Sequence, residues 1–253
     1  MILLEQTLQD LRTFKLTGMA EALSQQLALP KSYDLSFEER LSFLVEAEKI
    51  YRKDKRLERL LKGSKLRHNA CGEDIDYAPT RGFKKEKMAE LLTCQWIKEC
   101  FNLIITGPTG TGKSWLGCAL GQQACRQGLS VFYIRYSLLL EKIRMSRADG
   151  TYMKFLKSLL KIDLLIIDDW LLESPEEKDR HSLLEIVEDR YDRKALMLTT
   201  QMPVSKWHEM FGSPTLADAI LDRVLSQSIK LELIGESLRK SKKKGCTVND
   251  FDL

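Results

Sequence analysis

Gly107-Pro-Thr-Gly110-Thr-Gly112-Lys113-Ser114 has the spacing G-x-x-x-x-G-K-[ST]. The apolar run Phe101-Asn-Leu-Ile-Ile-Thr106 precedes it, and a helix-compatible run, Trp115-Leu-Gly-Cys-Ala-Leu-Gly-Gln-Gln-Ala124, follows. Strand, glycine-rich loop and helix are the setting a P-loop needs. The glycines let backbone N–H groups turn inward on phosphates, and the positive end of the helix dipole points at them. The stretch therefore reads as the binding site of a nucleoside triphosphate. Gly107, Pro108, Thr109, Gly110, Thr111 and Gly112 wrap the phosphates, with Trp115 adjoining. Lys113 is expected to reach the β/γ-phosphates, and Ser114 to help hold Mg²⁺.

Two further strand ends complete the expected site. Asp163-Leu-Leu-Ile-Ile-Asp168-Asp169 is a buried-strand pattern closing on two carboxylates. After a P-loop, Asp168 is the expected Mg²⁺ residue, and Asp169 is placed to orient or deprotonate the attacking water. Paired acids after a strand also cap helices, so the P-loop upstream decides between the readings. Ala195-Leu-Met-Leu-Thr-Thr200-Gln201 ends in polar groups, and Thr200 or Gln201 could contact the γ-phosphate or the water. Arg223, in Leu216-Ala-Asp-Ala-Ile-Leu-Asp222-Arg223, is the expected transition-state cation supplied across a subunit boundary. Alternatively it pairs on a helix surface with Asp218 or Asp222. Arg239 is a second candidate. No Asn-Lys-x-Asp guanine-reading motif occurs, which argues for ATP over GTP.

From about Phe83 onward apolar runs alternate with helix-compatible segments. Strands are expected at 101–106, 129–134, 164–167 and 196–200, with a last one at 231–233. Helices are expected at 113–126, 137–159 and 180–193. Continuous apolar strands separated by helices predict an α/β fold with a central parallel sheet covered on both faces. Ahead of it, residues 3 to about 66 read as helical, with Leu4, Leu8 and Leu11 at helical spacing and Pro30 ending a second segment. Ser36-Phe-Glu-Glu39 is a capping box opening a third. The organisation follows: a small all-α domain at 1–66, a connector at 67–82 containing Pro79, an ATPase domain at 83–240 and a basic tail at 241–253.

The balance of 40 basic to 36 acidic residues says little, but its distribution says more. Arg52, Lys53, Lys55, Arg56, Arg59, Lys62, Lys65 and Arg67 crowd one stretch, and Arg239-Lys-Ser-Lys-Lys-Lys244 forms another. Such clusters are footprints for polyanions, or simply solvated helix faces. The six cysteines form no C-x-x-C pair, and Cys118 and Cys125 fall on one helical face as small apolar residues. Unpaired thiols suit a reducing cytosol. The first residues lack the pattern of a signal peptide, and no run has the length to span a bilayer, so a cytoplasmic protein with no membrane partner is expected.

Taken together these residues carry a family resemblance. Asn102 to Trp115, Asp163 to Trp170, Leu184-Glu-Ile-Val-Glu-Asp-Arg-Tyr191, Thr200 to Trp207, Asp218 to Arg223 and Gly235-Glu-Ser-Leu-Arg239 resemble the IstB-like AAA+ ATPases. So do Leu16-Thr-Gly-Met-Ala-Glu-Ala-Leu23 and Leu35-Ser-Phe-Glu-Glu-Arg-Leu41. One departure is Trp170-Leu171, where relatives often carry Trp-Gly. The resemblance implies an AAA+ P-loop ATPase, related to DnaC-type helicase loaders, that helps an insertion-sequence transposase. It implies homo-oligomers on duplex DNA, target-site promotion, and release on hydrolysis. It places Thr200 and Gln201 at sensor I and Arg223 at the arginine finger. It also puts Lys142, Arg144 and Arg147 in a DNA-facing helical region, joined by phosphate contacts from Arg52, Lys53, Arg56 and Arg59. Phosphate contacts carry no sequence information, so binding is expected to be largely non-specific.

Other functions compete. A replicative helicase loader shares the ATPase module, but the Gly18-Met-Ala-Glu and Ser36-Phe-Glu-Glu segments favour the transposition helper. A small-molecule P-loop kinase is disfavoured by the paired carboxylates and the Asp222-Arg223 element. A DNA scaffold that only binds ATP would show no single-turnover hydrolysis.

Overall fold

The capping box is made as the sequence predicts. Ser36 N–H donates to Glu39 Oε2 at 2.8 Å and Glu39 N–H to Ser36 Oγ at 3.2 Å, satisfying two N-terminal donors of the longest helix. The computed structural model describes residues 2–28, 35–77 and 81–238. Pro30, Pro79, Arg239 and the basic tail lie outside them.

The elements run α1 (Ile2–Thr13), α2 (Thr17–Ala28), α3 (Phe37–Ser64), α4 (Lys85–Leu92), α5 (Gln95–Lys98), β1 (Asn102–Thr106), α6 (Lys113–Arg126) and β2 (Val131–Arg135). There follow α7 (Tyr136–Ala148), α8 (Tyr152–Leu160), β3 (Leu164–Asp168), α9 (Glu177–Arg190), β4 (Ala195–Thr200), α10 (Trp207–Phe211), α11 (Pro214–Leu225) and β5 (Ser228–Glu232). Two compact units result, Met1–Arg59 and Leu60–Leu253. The division falls inside α3 rather than at residue 66.

In the first unit α2 lies directly on α3. A Cβ at Gly18 would come within 2.7 Å of Ala47 O and Tyr51 Cβ, so only hydrogen fits. Glu48, buried on α3, accepts Met19 N–H at 3.2 Å and pairs with Arg52 Nε at 2.7 Å. Burial pushes the Glu48 carboxyl up, but Arg52 and the α2 N–H groups outweigh it and hold the group below its ordinary range.

In the second unit the sheet is parallel with order β2-β3-β4-β1-β5. Residues 164–168 of β3 and 195–200 of β4 are buried along their whole length, as strands covered on both faces must be. On one face α6 approaches closely through Gly117 and Gly121, which lie against Met197 and Ile166. On the other, α7 to α11 enclose a core of Tyr136, Leu139, Trp170, Ile186, Trp207 and Phe211. Trp170 is its hub, with ring centroids 5.2 Å from Tyr136, 6.2 Å from Trp207 and 6.3 Å from Phe211. Cys118 and Cys125 are buried, as their spacing predicts.

Two expectations are corrected. The helix at 137–159 is two helices, because Asp149-Gly150 turns the chain: Gly150 has φ +75° and Asp149 Oδ1 accepts Thr151 N–H at 2.9 Å. The expected connector is largely part of the second unit. Ala70 and Ile75 are buried, Glu73 pairs with Arg126 at 2.5 Å, and Arg81 Nη2 donates to Thr111 O at 2.9 Å. Among the described residues no helix is long and apolar enough to cross a membrane.

Candidate functional site

In a parallel sheet every strand ends on the same edge, so the loops after β1, β3 and β4 converge there. Because β4 lies between β1 and β3, its last residues stand between the loop 107–112 and the pair Asp168-Asp169. This convergence lines a pocket of about 400 Å³.

The loop itself needs its glycines. Gly107 has φ +148° and Gly110 φ +86°, and side chains there would run into the backbone of Leu233 and into Ser237. Gly112, also at positive φ, precedes α6, whose N-terminus faces the pocket with uncapped backbone N–H groups. Lys113 is buried with its ammonium folded onto the loop, donating to Gly107 O at 2.8 Å and Pro108 O at 2.9 Å. Trp115 lines the same pocket from the first turn of α6.

Asp168 is fully buried and is held by neutral donors. Ser114 Oγ donates to its Oδ1 at 2.8 Å and Thr199 Oγ1 donates to the same oxygen. Tyr133 Oη donates to Oδ2 at 2.5 Å. Ser114, which lines the pocket, and Asp168 behind it thus bring hard oxygen donors side by side, a set that suits Mg²⁺ and no soft metal.

Asp169 takes a left-handed φ of +57°, which Asp tolerates better than most residues, with its N–H 3.3 Å from Thr199 Oγ1. Burial, and then the Asp168 charge, push its carboxyl above the ordinary range, while Lys113, Arg67 and Arg135 oppose the shift. Leu171 is also left-handed, at φ +54°, and buried. Glycine would adopt this φ without strain, whereas this chain keeps a packed side chain there. Of the two candidates at the end of β4, Thr200 is turned away and donates to Trp170 O at 2.8 Å. Gln201 faces the loop, its Oε1 accepting Thr109 Oγ1 at 2.5 Å.

Arg223 lies at the other edge of the sheet. Asn102, the first residue of β1, donates its side-chain amide to Arg223 O and Val224 O, at 3.4 and 3.1 Å. The guanidinium pairs with Glu188 of α9 at 2.6 Å and with Ala219 O at 2.8 Å, rather than with Asp218 or Asp222. It stands at the strand starts, while Lys113 stands at the strand ends.

The basic side chains divide. Arg144 grips Asp179, itself only 1% exposed, with Nη2 to Oδ2 at 2.5 Å, and also reaches Glu176 at 3.0 Å. Arg147 bonds Ser182 at 2.9 Å, reaches Glu185 at 3.4 Å and stacks 3.8 Å over the Tyr152 ring. Withdrawing Arg144 would strand a buried carboxylate, so that residue has a structural part, while both arginines keep exposed side chains. Lys142 is exposed, 5.5 Å over the Phe132 ring. On α3, Arg52, Lys53, Arg56 and Arg59 are all exposed, with Arg52 tied to Glu48.

Sequence reasoning missed Tyr133, Thr199 and the pocket residues His68, Asp76 and Arg81. The apolar Ala70 and Ile75 inside the polar connector were the available signal that it packs down.

The family described as IstB-like ATP binding protein matches residues 9–246. The chain is 46% identical over 238 residues to an insertion-sequence ATP-binding protein of Sinorhizobium fredii, covering 94% of this chain and 97% of that one. Among solved structures, the DnaC helicase loader is similar with a TM-score of 0.54 and 19% identity, covering 67% of this chain and 99% of that one. The replication initiator DnaA, bound to AMPPCP and single-stranded DNA, gives 0.56 at 20% identity, covering 72% and 56%. The second unit has the AAA+ fold of these neighbours.

Proposed function

The chain belongs to the IstB-like ATP-binding proteins of insertion sequences, and we propose that it is the ATP-hydrolysing helper of a transposase. In this reading ATP joins protomers into a homo-oligomer on duplex DNA, the assembly promotes target-site selection, and hydrolysis releases it. The observation that carries the reading is the separation of Lys113 from Arg223 at opposite edges of one sheet. Arg223 cannot serve its own nucleotide, but a neighbour stacked head to tail would receive it.

Within one such interface the P-loop N–H groups and Lys113 grip the β/γ-phosphates, displacing the ammonium from Gly107 O and Pro108 O. Ser114 and Asp168 would hold Mg²⁺, which when bound would neutralise charge on the transferring phosphoryl group. Asp169 orients the water and takes its proton, Gln201 positions the γ-phosphate side, and the neighbour's Arg223 stabilises the transition-state charge. Arg52, Lys53, Arg56, Arg59 and Lys142 contact DNA phosphates without reading bases. Free thiols at Cys71, Cys94, Cys100, Cys118 and Cys125 support a cytosolic setting. The helicase-loader alternative has only a shared fold behind it.

The test is retention on duplex DNA with ATP, with ADP and without nucleotide. Assembly with ATP alone, lost in Lys113→Ala and trapped in Asp169→Asn, is the expected result. Equal retention in all three states refutes the reading.

A further inference from the structure

The buried carboxylate of Asp168 has two oxygens with different company. Oδ1 faces Ser114 and Thr199, on the pocket side. Oδ2 is met by the Tyr133 hydroxyl at 2.5 Å, from the next strand of the sheet. Tyr133 is 6% exposed, and β2 pairs with β3 in the register Tyr133↔Ile166 and Arg135↔Asp168, so the ring lies along the carboxylate's flank. Burial and then the bond to Asp168 push the phenol well above its ordinary range, so it stays a donor at every working pH. Arg67 opposes this shift by facing the same hydroxyl. Neither Tyr133 nor Arg67 belongs to the P-loop or lies near it in sequence.

We propose that Tyr133, anchored by Arg67, is the positioning residue of the metal site: it holds Oδ2 of Asp168 so that Oδ1 stays turned toward Ser114 and the cation. A carboxylate can rotate about its last torsion, and Thr199 and Ser114 both act on the same oxygen. The only donor fixing the other oxygen among the described residues is Tyr133. Removing that hydroxyl leaves Oδ2 buried and unmatched, and the group relaxes by turning away from the orientation Mg²⁺ needs. The inference rests on the reading of Ser114 and Asp168 as the metal-facing pair.

The experiment is equilibrium binding of a fluorescent ATP analogue to the full chain, titrated with Mg²⁺ and repeated in EDTA. Tyr133→Phe should raise the half-saturating Mg²⁺ concentration about tenfold, the loss of one hydrogen bond to a charged acceptor, with affinity in EDTA unchanged. Arg67→Gln, at an exposed position, should raise it about threefold. A merely structural role would lower affinity in EDTA and in Mg²⁺ alike. Superimposable Mg²⁺ curves for wild type and Tyr133→Phe overturn the proposal, and if that variant fails to fold, an unshifted Arg67→Gln curve does so. Asp168→Asn separates the premise from the inference. Mg²⁺ dependence surviving in Asp168→Asn removes the metal reading itself; dependence lost there but intact in Tyr133→Phe removes only the positioning role.

Discussion

Replacing Arg223 by alanine separates what the residue does for its own protomer from what it does for a neighbour. In its own protomer the guanidinium makes one ion pair, 2.6 Å from Glu188, between side chains 27% and 54% exposed. A pair so open to solvent contributes about 0.2–1 kcal/mol, so the variant should melt within a few degrees of wild type. A guanidinium supplied to a transferring phosphoryl group is worth about 10³-fold or more, roughly 4 kcal/mol of barrier. DNA-stimulated phosphate release should therefore fall about a thousandfold in a protein that folds normally. Mixing then identifies the route. Asp169→Asn has an intact Arg223 and a dead pocket, while Arg223→Ala has an intact pocket and no guanidinium to lend. In a random one-to-one mixture of these inactive proteins, about a quarter of head-to-tail contacts join a good pocket to a good arginine. Activity near a quarter of wild type is expected. A mixture as silent as its components, or an unimpaired Arg223→Ala, would refute the argument.

Asp169 should impose an acid limb on hydrolysis. Its carboxyl is raised from 3.8 by burial and by Asp168, so protonation removes the base at a pH above that of an ordinary aspartate. Rates measured downward from neutrality should show this limb, and Asp169→Asn should be slow and flat. The same raised value means the folded state disfavours the carboxylate more than the unfolded chain does, so Asp169 detracts from stability above its pKa. Asp169→Asn, which keeps the left-handed tolerance, should melt no lower than wild type; a clear drop contradicts this. Gly18→Ala forces a methyl against Ala47 O and Tyr51 Cβ and should cost about 1–3 kcal/mol in denaturant titration. Replacing Arg52, Arg56 and Arg59 by glutamine should each flatten the log–log salt dependence of DNA affinity by about one unit, and an unchanged slope removes α3 from the DNA contact.

The P-loop strand and Asp168 were legible because both depend on short local patterns: glycine spacing, and apolar runs such as Leu164 to Ile167 that survive only in a covered parallel sheet. What the sequence hid is sheet order. Nothing local states that β4 inserts between β1 and β3, yet that insertion brings Thr199 to Asp168 and Gln201 to Thr109. Charge was the least legible signal. Arg144 and Arg147 are surface cations as they read, and their partners Asp179, Ser182 and Glu185 lie far along the chain and meet them only through packing of α7 against α9. The break at Asp149-Gly150 was written in the residues themselves and lost to the strong apolar periodicity on either side.

If copies meet as proposed, with a receptor on the edge where strands finish and a donor on the edge where they begin, the contact has a direction. Repeating it makes a row with unlike ends rather than a self-complementary pair. Unless such a row closes on itself, one terminal copy holds fuel that no companion can help to burn, and the opposite terminus offers an arginine with nothing to act on. Growth and shedding at those termini would then run by different rules, giving the array a built-in polarity along whatever track it lies on.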